Sequence, residues 1–308
     1  MPRAFTKILL KLVGFLPQAL QLKVYFRYSQ FRKAVIGPHA EAILVRSWNG
    51  DILVGAADFV VGRSLAFQGA YDRESVEFLL SRITPQSKVL IVGAHVGTLL
   101  IPIARKASHV VGIEANPDTF NLLRLNVKIN DLKNVELFNV AAGDKHGEAT
   151  FLLNKHNTGG SKIEYRKLGS MFYYDSPTPV TIPMRILDDE LAGRQFDTIV
   201  MDIEGSEYFA LQGMKRILQQ CELLQIEICR LSIEEVAGIT PREFVVPLQA
   251  NFSTAAVRIR RKNRVDVSVY EREDFVKLMG VIYREHGGNR DAIFFKYFDK
   301  DFFSSPRR

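Results

Sequence analysis

The chain has 308 residues, 47% hydrophobic and 24% charged, with a formal net charge of +7; this composition excludes a disordered or fibrous chain and suits one large α/β domain with an addition. No apolar stretch reaches the length of a membrane span, because Lys7, Lys11 and Lys23 interrupt the N-terminal one. Cys221 and Cys229 have no metal or redox spacing, which points to a reduced, cytoplasmic setting and no dedicated metal site.

The charge excess is local. Residues 1–40 carry Arg3, Lys7, Lys11, Lys23, Arg27, Arg32 and Lys33 and no acid, whereas the remainder balances. Ile8, Leu9, Leu12, Val13 and Leu16 make an apolar face opposite Lys7 and Lys11. Three readings of this basic amphipathic arm stand: packing on the domain, weak contact with an anionic membrane through residues 1–33, or a targeting segment. A second basic cluster is Arg258, Arg260, Arg261, Lys262 and Arg264. Neither cluster belongs to a recognisable nucleic-acid module, so no nucleic-acid partner is expected.

After the arm, Ala42 to Ser47 and Asp51 to Val54 flank Trp48-Asn49-Gly50, a hairpin signal. Residues 1–70 therefore read as a basic helical arm plus β-hairpin, and 71–308 as the main domain. Phe59 to Gly69 reads as irregular. Asp72 is placed to cap a helix whose buried face is Val76, Phe78, Leu79, Leu80 and Ile83, and Thr84-Pro85 ends it.

The central stretch follows. Val89 to Val92 has the unbroken aliphatic run of a strand buried on both faces. In Gly93-Ala94-His95-Val96-Gly97 small residues let the backbone turn tightly beside a ligand. Thr98 to Lys106 has helical spacing, and His109 to Ile113 is a second buried strand ending in Glu114. A carboxylate about 20 residues beyond a glycine turn, at the next strand's tip, is placed to hold ribose hydroxyls. The turn lacks the middle glycine that admits a pyrophosphate. It thus suits a nucleoside without phosphate, such as S-adenosylmethionine, over a nicotinamide dinucleotide.

Asn116-Pro117 opens a helix running to about Asn130. Val135 to Val140 is a third strand, and Ala141-Ala142-Gly143-Asp144 at its tip offers small residues against which an adenine ring can lie. Glu148 to Leu153 and Val180 to Ile186 suit an antiparallel pair. The long polar segment between them, His156 to Pro179, reads as a lid or substrate loop. Phe196 to Met201 is a further strand, followed by Asp202-Ile203-Glu204-Gly205 and a helix over Ser206 to Gln220. Glu222 to Ile228 is the next strand. A helix starts at Pro241, and Ala255 to Ile259 with Ala292 to Tyr297 suit a closing antiparallel pair.

Several of these pieces, in order, resemble the FkbM-type S-adenosylmethionine-dependent methyltransferases. They are Gly93 to Gly97, Glu114-Ala115-Asn116-Pro117, Asn126, Ala141 to Asp144, Gly159-Gly160-Ser161, Leu187-Asp188-Asp189 and Met201 to Gly205. The resemblance covers about residues 49 to 297. It implies a class I methyltransferase (Rossmann-like) α/β fold: a seven-stranded, mostly parallel sheet with one antiparallel strand and helices on both faces. It also implies O-methylation of a small-molecule or glycan hydroxyl. Two positions depart from the family pattern. Ile91 stands where an Asp usually opens the glycine turn, and Val200-Met201 stands where Lys-Ile usually precedes Asp202. These departures motivate a second reading, a non-catalytic module that binds the cofactor.

The expected cofactor contacts are Gly93, Ala94, His95, Gly97, Glu114, Ala115, Asn116, Ala141, Ala142 and Asp144. Methyl transfer from a sulfonium chiefly needs the acceptor oxygen held in line, and a hydroxyl acceptor gains from a base. Asp202 and Glu204 at a strand end are the candidate catalytic pair, as base or as holders of a divalent cation. Glu204 has the alternative role of capping the next helix. Gly160, Ser161, His156 and His286 are the candidate acceptor contacts.

Overall fold

The structure is a computed structural model that describes residues 13, 18–169, 173, 175–260, 265–284 and 289–298. The candidate His286, together with Arg3, Lys7 and Lys11 of the arm and Arg261, Lys262 and Arg264 of the second basic cluster, lies outside these residues. Helix α1 (Gln18–Ile36) leads into the hairpin β1 (Ala42–Ser47) and β2 (Gly50–Gly55). The expected irregular segment instead forms α2 (Val61–Gln68). Its start is fixed by the buried Asp58, whose Oδ1 accepts the N–H groups of Val60 and Gly62 at 3.1 and 2.7 Å. An Asx contact three to four residues ahead of the apolar run was the available helix signal.

Helix α3 (Arg73–Arg82) leads to β3 (Lys88–Val92), the short α4 (Leu100–Ala104), β4 (His109–Ile113), α5 (Pro117–Ile129) and β5 (Val135–Phe138). Asp72 does occupy the position before α3, but its carboxylate takes the Ser75 hydroxyl at 2.8 Å and caps no backbone N–H. Asn116 caps α5 through its side chain, accepting from the N–H groups of Asp118 and Thr119.

Then come β6 (Ala141–Ala142), β7 (Gly147–Leu153), β8 (Lys162–Ile163) and β9 (Thr178–Arg185), which make a small separate sheet in the order β6-β9-β7-β8. The expected antiparallel pair is its centre, β7 against β9, with Phe151 opposite Val180. The rhythm resumes with β10 (Thr198–Met201), α6 (Glu207–Gln212), α7 (Lys215–Gln220), β11 (Leu223–Cys229), α8 (Pro241–Asn251), β12 (Thr254–Arg260), β13 (Val265–Glu271), α9 (Phe275–Arg284) and β14 (Asn289–Phe295). The helix expected over Ser206 to Gln220 is thus two helices broken at Gly213.

The main sheet runs β13-β12-β14-β11-β10-β3-β4-β5. β10 and β11 run parallel to β3, as do β4 and β5, and β14 enters antiparallel between β11 and β12. This is the expected seven-stranded arrangement with an eighth strand added, because β13 returns as a hairpin on β12. Side chains alternate between two cores. Leu90, Val92, Ile199 and Met201 pack under α6 to α9, and Val89, Ile91 and Val200 pack under the hairpin and α2 to α4. Strands buried on both faces explain why their sequences are unbroken apolar runs.

The hairpin is held to the sheet by two asparagines one turn apart on α5. The fully buried Asn126 accepts the Leu53 N–H at 2.7 Å and donates to the carbonyls of Leu53 and Val96 at 2.8 and 2.9 Å. Asn130 repeats the pairing with the N–H and carbonyl of Asp51. These amides satisfy the free edge of β2 as a neighbouring strand does.

Candidate active site

A cavity of about 230 Å³ opens at the carboxyl ends of β3, β4, β10 and β11. In an open α/β sheet this is where ligands bind. Its floor is set by a close backbone approach. The Asp202 N–H donates to the Val92 carbonyl at 3.0 Å, and a Cβ on Gly93 would stand 1.9 Å from the Asp202 carbonyl oxygen. Gly93 also has φ 91°. Both facts require glycine at that position. Gly97, at φ 94°, packs against Leu123 and stays behind the cavity wall.

Glu114 holds the turn closed. Its Oε2 accepts the His95 N–H at 2.7 Å and its Oε1 accepts the Asn116 N–H at 2.9 Å. The carboxyl is buried, and burial pushes it up to about 7 against those two donors. Each oxygen keeps acceptor capacity for a ribose hydroxyl. Ile113, Ala115, Val140, Ala141, Ala142 and Phe151 supply an apolar wall nearby. Gly93, Ala94 and His95 complete that half of the cavity. Asn116 works as the cap of α5, and Asp144 is exposed and off the lining.

His95 takes φ 49° and is half-buried. Burial lowers its imidazole below the usual histidine range, with Asp58 opposing. Its Nε2 lies 2.8 Å from the Thr158 hydroxyl. That hydroxyl donates to Asp58 Oδ2 at 2.7 Å, so it accepts from Nε2–H, and the network assigns the neutral Nε2–H tautomer. His95, Thr158 and Asp58 thereby tie the glycine turn to the 157–161 loop and to the start of α2.

The opposite half is acidic. Asp202, Glu204 and Glu227 each bring a carboxylate oxygen within 4.8 Å of the other two. Asp202 is exposed to the open cavity. Desolvation first, then Glu227, Glu204, Glu207 and Asp291, hold its carboxyl well above the ordinary aspartate range. Asp202 and Glu204 come together through a turn and not along an extended strand, since β10 ends at Met201 and Glu204 has φ 55°. Glu204 does not take the helix-capping role considered for it, since α6 has no side-chain cap, and Glu207, the first residue of α6, holds the turn ahead of the helix. The Glu207 carboxylate, buried and pushed up to about 7, accepts the N–H groups of Ile203 and Gly205, both at 2.9 Å.

Lys162 of β8 stands 3.3 Å from Glu204. Its charge lies beside the carboxylates although Val200 occupies the family's lysine position. Ile91, where the family's aspartate is usual, is 2% exposed and packs in the core beneath the hairpin.

Of the candidate acceptor contacts, Ser161 lines the cavity with its neighbours Asn157, Thr158 and Gly159. Gly160 lies off the lining and is packed on the amides of Asn154 and Asn157. His156 also lies off the lining. Its Nδ1 is 2.6 Å from the buried Asp175, whose other oxygen accepts the His156 and Asn157 N–H groups. That pairing fixes the loop's shape.

Sequence reasoning passed over Glu227, Lys162, Asp58, Glu207 and Tyr71, all at or beside the cavity. Glu227 carried a signal, an acid inside the apolar run Leu223 to Ile228. The position of Lys162 depends on the β7–β8 pairing, and no spacing announces it. Tyr71 lines the cavity because the buried Asn49 clamps its backbone N–H and carbonyl and also the Thr98 carbonyl.

With this geometry in place, comparison gives the class. The family described as "Methyltransferase FkbM domain" matches residues 92–264, more than half of the chain. The chain belongs to that family, and its fold is the class I methyltransferase fold expected of the sequence. S-adenosylmethionine, the methyl donor read from the glycine turn, agrees with that membership. No curated protein matches the sequence. Among solved structures, a methyltransferase FkbM from Methylobacillus flagellatus KT is 18% identical, with 69% of this chain and 53% of that one covered and a TM-score of 0.39. An rRNA methylase from Streptococcus thermophilus is 12% identical over 73% and 95% of the two chains, with a TM-score of 0.40. A Pyrococcus abyssi tRNA (uracil-54, C5)-methyltransferase in complex with S-adenosyl-L-homocysteine is 17% identical over 62% and 36%, with a TM-score of 0.36. The family match alone carries the assignment.

Proposed function

We propose that this chain is an O-methyltransferase that moves the methyl group of S-adenosylmethionine to a hydroxyl of a small molecule or sugar. The observation that carries the proposal is the shared cavity: the Glu114 carboxylate and apolar wall on one side, and Asp202, Glu204 and Glu227 on the other. The donor, when bound, supplies an already activated methyl group. Glu114 would hold the ribose, the Gly93 to His95 turn the neighbouring part of the nucleoside, and Ala141 and Ala142 the adenine.

The remaining work falls to the acidic half. A carboxylate can orient an acceptor hydroxyl and take its proton, worth about 10²- to 10⁴-fold. Asp202 is the stronger candidate, because the surroundings that raise its carboxyl also make it a better base near neutral pH. Lys162 beside Glu204 restores the positive charge that the departure at Val200 removed, which supports turnover over a binding-only module. Three clustered carboxylates repel phosphate oxygens and accept hydroxyl protons, which supports a neutral, hydroxyl-bearing acceptor over a nucleic acid.

The test is Asp202→Asn on a proven acceptor. Donor affinity should stay within a few-fold while turnover falls by about two orders of magnitude or more, about 2.7 kcal/mol. Full activity in that variant would remove Asp202 from the chemistry. Loss of donor binding would move it to the cofactor shell and pass the base to Glu204.

A further inference from the structure

Helix α1 has two working faces, and among the described residues one of them packs inside the protein. The inner face docks on the segment that walls the cavity. Phe26 meets Phe59 edge-on at 6.2 Å and the His156 ring at 4.7 Å. The Arg32 guanidinium donates to the carbonyls of Ala56 and Asp58, and the Arg63 guanidinium lies 4.0 Å from the centre of the Tyr25 ring. Ser29 is buried between these contacts.

The opposite face is apolar and open. Leu20, Val24, Phe31 and Val35 recur at helical spacing along one side and are 49%, 37%, 66% and 69% exposed. Lys23 and Arg27 stand exposed among and beside them. No acid occurs anywhere in residues 1–40. A helix docked by its inner side leaves this outer stripe to the surroundings, and the surface of a folded protein rarely keeps such a stripe bare.

We infer that this outer face of α1 rests on an anionic lipid surface, with Leu20, Val24, Phe31 and Val35 entering the headgroup boundary and Lys23 and Arg27 meeting the lipid phosphates. Charge complementarity selects the occupant. A stripe flanked by bases and free of acids matches a negatively charged leaflet, and each base near that surface adds attraction. A nucleic-acid backbone fits the bases and leaves the four apolar side chains in water. A protein interface of this kind is depleted in lysine, whereas Lys23 stands exposed beside the stripe. Docking would set the cavity wall at a fixed height above the membrane, because Phe26 and Arg32 hold that wall from the other side of the same helix.

The test uses the full chain and sedimentation with phosphatidylcholine vesicles, alone or with about one lipid in four replaced by phosphatidylserine. The chain should pellet with the anionic vesicles, remain in solution with the neutral ones, and be released as salt rises. Phe31→Glu/Val35→Glu and, independently, Lys23→Glu/Arg27→Glu should each weaken anionic-vesicle binding at least about tenfold. Both variants should keep the parent's melting temperature, since neither pair touches the inner face. Equal binding to both vesicle types, or binding unchanged in the two double variants, overturns the inference. So does a dimer that Phe31→Glu splits while the parent ignores vesicles, because a second copy then covers the stripe.

Discussion

On the reading proposed above, Glu114 serves architecture and ligand together. Its two oxygens pin the N–H groups of His95 and Asn116, and its carboxyl is raised to about 7 by burial. Two ribose hydroxyls donating to it, as proposed, would favour the charged form, so donor binding would lower that value. Binding therefore favours the deprotonated protein. The affinity for S-adenosylhomocysteine, measured by calorimetry, should rise from about pH 6 to about pH 8 and level off above the free-protein value. Glu114→Gln should weaken binding and flatten this dependence; a steep pH response in that variant would place the titrating group elsewhere. At this scale the sequence was readable wherever a residue's neighbours are its chain neighbours. Glu114 and Gly93 stand in a βαβ unit whose spacing fixes their places. Lys162 and Asp58 reach the site through β7–β8 pairing and an Asx contact with Thr158, a hundred residues away, and no local pattern encodes either.

Among the elements, glycines mark the contacts that admit no side chain. Gly213 breaks α6 from α7, and a Cβ there would stand 1.9 Å from the Gly143 carbonyl oxygen, below the Ala141-Ala142 strand that walls the cavity. Gly213→Ala must push that backbone aside and should cost more than about 3 kcal/mol in urea unfolding. Gly169→Ala, with nothing within 4 Å, should change stability by less than about 0.5 kcal/mol. Comparable effects at the two positions would show that the Gly213 contact is not tight. Element types were legible where periodicity was strong: β3, β4, α5 and the β7–β9 pair follow their patterns. β13 was overlooked although Val265, Val267 and Val269 alternate with polar residues. α2 was read as irregular because its glycines at 62 and 69 mask a helix that Asp58 starts and a left-handed Gly69 ends.

For the molecule as a whole, two buried acids contribute a fall in stability as pH rises. Glu114 and Glu207 both rise from 4.5 to about 7 through burial. A raised carboxyl keeps its proton in the folded state across that interval while the unfolded chain has lost it. Stability from these groups is thus complete below about pH 4.5 and is lost as pH climbs through about 7. The urea midpoint should accordingly fall between about pH 5.5 and about pH 8, and Glu207→Gln should make the fall shallower. A midpoint that climbs over this range contradicts the assignment. No described helix is long and apolar enough to cross a membrane.

The lysine beside Glu204 has a consequence for how such sequences drift. A charge that the family pattern places two residues before Asp202, on β10, arrives here from β8 across a different sheet. Position 200 is then released to be Val, packed with Val89 and Ile91 in the core under the hairpin. The two arrangements bring the same charge to one small acidic cluster, so either lysine supplies what the other would. Relatives should therefore trade the two positions against each other, carrying lysine at one or the other and losing both only where the carboxylates have gone as well.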